Sequence, residues 1–149
     1  MKKYLLIGLL FISSICSAMT FSQAKQIYSN LVKSNGFASY PILHLSYTSE
    51  VNADYGAGII TINRGMLNFV KNADELALIL GHELGHYTDR NKRMSDYQSE
   101  YAADKHGAIY EDRAGYNSCR GSAVIFRFHD GDSYDHPASL KRFKRISCL

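Results

Sequence analysis

The chain has 149 residues, 46% of them hydrophobic, and no low-complexity tract; this suits one packed domain and excludes a disordered or fibrous protein. Formal charge is +3, but two of those charges are Lys2 and Lys3 at the extreme amino terminus. Without that end the charge falls to +1, too little to build the basic field that a nucleic-acid partner needs.

Lys2 and Lys3 precede the apolar run YLLIGLLFISSI, and CSA follows, ending at Ala18. A positive start, an apolar stretch of about 12 residues and a small residue at the cut form the pattern of a secretory signal peptide. Residues 1–18 are therefore expected to be a cleaved signal peptide, and residues 19–149 a single domain, periplasmic or secreted from a bacterium. The apolar run is short for a membrane span, so no integral membrane segment is expected after cleavage. Processing as a lipoprotein before Cys16 would put Ile15 where a small residue is wanted, and is the weaker alternative. Export would leave Cys119 and Cys148 as an even pair in an oxidising compartment. A disulfide between them would close a loop of about 30 residues and contribute roughly 3 kcal/mol; two free thiols are the alternative. Nothing in the sequence sets an oligomeric state.

Along the remaining chain, TFSQAKQIYSNLVKS spaces Phe21, Ala24, Ile27, Tyr28, Leu31 and Val32 as one helical face, and Asn35-Gly36 ends it. PILHLSYT alternates apolar with polar from Pro41 to Thr48 and reads as a strand with His44 on its solvent side. In NADYGAGIITINRGML two short extended pieces flank Gly56 and Gly58, which predicts a hairpin, and a short helix is expected over residues 65–71. Asn72, with Glu75 three residues on, forms an N-cap and capping-box pattern for the helix ADELALILGHELGHY. Ser95 with Gln98 predicts the start of the next helix, which carries SEYAADKHGAIYE; a further helix covers SCRGSAVIFRFH. Early strands and late helices give the α+β class.

The helix with Leu76, Ala77, Leu78, Ile79, Leu80 and Leu84 is apolar nearly all round and reads as buried, yet it carries GHELGH at residues 81–86. His82 and His86 are four residues apart, one turn apart on one face, where two imidazoles can hold one Zn2+. Glu83 points about 100° round the helix and can reach a metal-bound water as general base. A solvated polar face would give the same residues, but it does not suit an apolar helix, in which unpaired buried polar groups cost several kcal/mol each. Catalytic zinc needs a third protein ligand, and Asp89, Asp96, Glu100, Asp104 and His106 are the candidates downstream. Glu100 is the best placed of them: it pairs at i, i+4 with Asp104, and Ala102 and Ala103 allow a close helix approach. Asp104 then suits the far N–H of a ligating histidine, whose tautomer it would fix. An exposed acidic stripe would account for Glu100 and Asp104 equally well on spacing alone.

GHELGH followed by E-x-x-A-D-x-x-G (Glu100, Ala103, Asp104, Gly107) resembles the HtpX and CAAX-prenyl-protease group of gluzincin metallopeptidases, family forty-eight of the metallo class. NADYGAGIITINRGML, AGYNSCRGSAVIFRF and DHPASLKRFKRI match further motifs of that family in order, so the resemblance spans residues 52–146. Cys119 stands where the family usually has Pro, and Asp135 where Thr or Ser is more frequent. The resemblance implies a zincin-like fold with one Zn2+ per chain on His82, His86 and Glu100, and Glu83 activating the water. It also implies that His136 and Arg142 lie beside the active site and hold substrate or the oxyanion; a shifted register would put Lys141 or Arg145 in the place of Arg142. The implied activity is metalloendopeptidase cleavage of polypeptides, with substrate paired as an extended strand along Tyr55–Ile62. A zinc-containing chaperone-like binding module, or an amidase acting on peptidoglycan peptides, would use much the same residues.

Overall fold

The computed structural model describes residues 18–128 and 137–146. The expected signal peptide, His136 and Cys148 lie outside the described residues, apart from Ala18. The elements run α1 (Phe21–Ser34), β1 (Ile42–Ser46), β2 (Ala53–Gly56), β3 (Ile59–Asn63), α2 (Arg64–Phe69), α3 (Ala73–Asp89), α4 (Asp96–Arg113), α5 (Ser118–Gly121), α6 (Ala123–Arg127) and α7 (Ser139–Ile146). The mixture is α+β, as expected. Among the described residues no helix is long and apolar enough to cross a membrane.

Capping sets most helix starts. Thr20 with Gln23 closes a capping box on α1, and Ser95 with Gln98 closes another on α4. Asn72 caps α3 by accepting the Glu75 N–H, but here the box stays open. The Glu75 carboxylate instead accepts the Lys71 N–H and forms a bidentate pair with Arg127, so tertiary contact overrides the local pattern. The single helix expected over SCRGSAVIFRFH is two short ones. The Ser122 hydroxyl at the break donates back to the Cys119 carbonyl, in the local competition with helix bonds that serine is prone to.

The sheet order is β1-β3-β2, with β1 parallel to β3 and β2 antiparallel to it. Ala57 and Gly58, at φ 49° and 81°, form the two-residue turn of the β2–β3 hairpin, the pairing of positive angles that matches strand twist. Ile60 and Ile62 are fully buried on the inner face, while His44 points to solvent as expected. One expectation changes. Ile59–Ile62 belong to the central strand, hydrogen-bonded on both sides, so within Tyr55–Ile62 only the residues of β2 lie on an outer edge of the sheet.

α3 is the axis of the molecule. Leu76, Ala77, Leu78, Leu80 and Leu84 are essentially inaccessible, because α1, α4 and the inner face of the sheet close around them. Burial of that many aliphatic side chains, at about 25 cal/mol per Å² of apolar surface, anchors the helix that carries GHELGH.

Candidate metal centre

The site exists because α3 and α4 cross at very short range. A methyl added to Gly81 would meet the Gly107 carbonyl oxygen at 2.9 Å, and one added to Gly85 would meet Ala103 Cα at 2.8 Å. Small residues at both crossings let α4 lay its Glu100 and Asp104 against the histidines of α3.

His82, His86 and Glu100 then converge, each offering one ligand atom within 4.8 Å of the others. His86 Nε2 lies 3.0 Å from His82 Nε2 and 3.1 Å from Glu100 Oε1; His82 Nε2 lies 3.6 Å from Glu100 Oε2. Tetrahedral ligands at 2.0–2.1 Å from Zn2+ would be about 3.3 Å apart, so the group has the right size. Its chemistry fits as well. His82 Nδ1 lies 2.9 Å from Asp104 Oδ1, which accepts its N–H and leaves the Nε2 lone pair facing inward. His86 Nδ1 is 3.3 Å from the Ser99 hydroxyl, which leaves the second Nε2 directed at the first. Two lone pairs and a carboxylate directed at one point are a donor set for a cation of zinc's type.

The electrostatics agree. Burial, above the opposing bond to Asp104, lowers the His82 pKa and keeps the imidazole in its neutral, ligating form. Burial alone would raise Glu100 and Asp104. The bond to His86, with the positive charge of Arg142, holds Glu100 below the usual carboxylate range, and the Arg142 and His82 bonds do the same for Asp104. Arg142 Nε and Nη2 take the two Asp104 oxygens at 2.9 and 2.7 Å, and Nη1 lies 3.5 Å from Glu100 Oε2. Arg142 thus lies beside the ligand group, with its guanidinium bound to Asp104 rather than turned fully to the cleft.

Glu83 is 5% exposed and lines the same cleft, of about 660 Å3. Burial, then the negative charges of Glu100 and Asp54, push its pKa well above the carboxylate norm, and the backbone of Tyr55 on β2 hydrogen-bonds it. The β2 segment lines the cleft, together with the apolar side chains of Met66, Ile79, Ile125 and Phe128.

Asp89 and His106 face each other at 3.3 Å away from the ligand group, and Asp96 only opens α4. Cys119 is disulfide-bonded, its partner lying outside the described residues. Sequence reading missed Ser99, Arg90 and the apolar residues that line the cleft. Two of these carried a usable signal: Ile79 and Arg90 are four residues before and seven after Glu83, on the same side of one helix.

A helix bearing two histidines and a glutamate, crossed by a second helix that supplies a carboxylate and flanked by a strand edge, is the site of the zinc metallopeptidase class. The model of Peptidase family M48 matches residues 18–99, more than half of the chain, and the chain belongs to that family. Its peptidases are zinc-dependent. No curated protein matches the chain significantly. The matched stretch ends one residue before Glu100, so the third ligand position stands on the geometry of α4.

Proposed function

We propose that the protein is an exported zinc-dependent endopeptidase that hydrolyses peptide bonds in polypeptide substrates. The observation that carries this reading is the convergence of His82, His86 and Glu100 in a cleft that also holds the buried Glu83. Export rests on the amino-terminal pattern of Lys2, Lys3 and the apolar run ending at Ala18.

Bound zinc would lower the pKa of a water and polarise the scissile carbonyl. Glu83 takes the proton of the attacking water and returns it to the leaving amine; its raised proton affinity, set by burial and neighbouring carboxylates, suits that exchange. Asp104 holds the His82 tautomer, and Arg142 holds Asp104, so Arg142 acts as a positioning residue. His136 keeps the role implied by the resemblance, contact with substrate or the developing oxyanion. The outer edge of β2 pairs with an extended substrate by β-augmentation, along Ala53–Gly56 rather than the whole of Tyr55–Ile62.

The test compares zinc-loaded wild type with Glu83→Gln on casein or an unfolded protein, measuring zinc content of both. Wild type should cleave, and Glu83→Gln should bind zinc equally but cut at least about a hundredfold more slowly. Zinc in both without cleavage by either would overturn proteolysis in favour of a binding module. Cleavage confined to peptidoglycan peptides would make the protein an amidase.

A further inference from the structure

The cleft is chemically asymmetric along α3. Ile79, Glu83, His86 and Arg90 all line it, at successive turns of one helix face. Arg90 keeps right-handed helical angles at the end of α3, so its position continues that face. From Glu83 to Arg90 is seven residues, about 10 Å of helix rise, which an extended peptide covers in about three residues. In the opposite direction, Ile79 lies about one turn from Glu83, within one or two peptide residues, and the apolar Met66 and Ile125 also line the cleft.

Arg90 is held ready. Its guanidinium lies 4.0 Å from the centroid of the Tyr87 ring, and Nη1 donates to the Tyr87 carbonyl at 2.7 Å. Tyr87 is itself fixed: its hydroxyl bonds Ser39 on the hydroxyl at 2.8 Å and on the carbonyl at 3.1 Å, and its ring packs edge-on against Tyr55 of β2 at 5.7 Å. Among the described residues Arg90 has no carboxylate partner, although its side chain is exposed and four of its five N–H donors remain after the Tyr87 bond. A stacked, oriented guanidinium at the mouth of a cleft suits a planar carboxylate.

We infer that Arg90 is a specificity-determining residue that binds a substrate carboxylate about three residues from the scissile bond, on the side opposite an apolar residue seated at Ile79. The inference rests on the peptidase reading for the position of the scissile bond, but its readout is binding. The probe is a series of peptides blocked at both ends, each with one leucine and a single glutamate moved stepwise along the chain, beside matching glutamine peptides. Binding is measured to zinc-loaded Glu83→Gln protein, and cleavage to wild type.

One position, two to four residues from the cut, should bind about tenfold more tightly with Glu than with Gln. Arg90→Gln, in the same Glu83→Gln background, should abolish the difference, and Arg90→Lys should keep part of it; zinc content matching the parent shows that the site is intact. In wild type the gain should fall on KM more than on kcat. A peptide ending at that position with a free carboxyl terminus tells a chain end from an acidic side chain, and preference for either supports the inference. Equal binding of Glu and Gln at every position, or a preference that survives Arg90→Gln, overturns it. Cleavage without the preference would overturn this inference and leave the peptidase reading standing; preference without cleavage would do the reverse.

Discussion

Gly85→Ala tests how closely the site depends on the α3–α4 crossing. The new methyl would meet Ala103 Cα at 2.8 Å, its carbonyl oxygen at 2.9 Å and His106 Cβ at 3.1 Å. Carbon contacts relax near 3.5 Å, so α4 must move away by about 0.7 Å. Two stability effects oppose each other. Overpacking costs about 1–3 kcal/mol, while replacing a mid-helix glycine by alanine returns about 1 kcal/mol of helix propensity. The net expectation is a loss of about 0–2 kcal/mol. Zinc binding should suffer more, because Glu100 and Asp104 flank Ala103 on α4 and ligand distances tolerate only about 0.2 Å. Affinity should fall about 10–100-fold, the scale seen when groups that orient ligands are disturbed. Competition with a chromophoric chelator gives the affinity, and urea unfolding of the metal-free protein gives the stability. A variant stabilised by the full 1 kcal/mol with unchanged zinc affinity would refute the claim that helix separation sets the ligand geometry.

Two further predictions concern stability alone. Glu111 is fully buried with neither carboxyl oxygen hydrogen-bonded, and burial, with Asp112 and Asp74 nearby, pushes its pKa up to about 9. A carboxyl raised in the folded state has its stability contribution intact below about 4.5, the unfolded value, and loses it as pH climbs toward 9. Urea unfolding should therefore find Glu111→Gln close to wild type near pH 4.5 and more stable by a few kcal/mol near pH 9; a pH-independent difference would contradict this. Ala57 holds φ 49° in the β2–β3 turn, where alanine is strained by about 1–2 kcal/mol. Ala57→Gly relieves that strain at about 0.4–1 kcal/mol of added unfolded-state entropy, for a net gain near 0.5–1 kcal/mol in urea unfolding; a loss would show that the turn is not strained.

The parts legible in the sequence were those encoded locally. Asn72 and Ser95 mark where α3 and α4 begin, and i, i+4 spacing places His82 with His86 and Glu100 with Asp104 on shared faces. What escaped depends on residues far apart in the chain. Nothing in PILHLSYT says that β1 lies parallel to β3 and makes it the central strand, which is why Ile59–Ile62 could be taken for a substrate edge. Glu75 followed its local motif on paper, yet a bidentate partner 52 residues away claims its carboxylate. Arg142 was placed near the site by resemblance, and only the packing of α7 against α4 reveals Asp104 as its anchor. Glu111 gave no signal at all: an unpaired buried carboxyl reads in the sequence as one more solvated acid.

The central claim is that His82, His86 and Glu100 together hold one zinc ion. Metal content per folded chain tests it directly, measured on wild type, Glu83→Gln and Glu100→Ala after dialysis against a weak chelator, with circular dichroism to verify the fold. The account predicts one zinc per chain in wild type and in Glu83→Gln, and loss of the ion from a still-folded Glu100→Ala. A folded Glu100→Ala that keeps one zinc would contradict it.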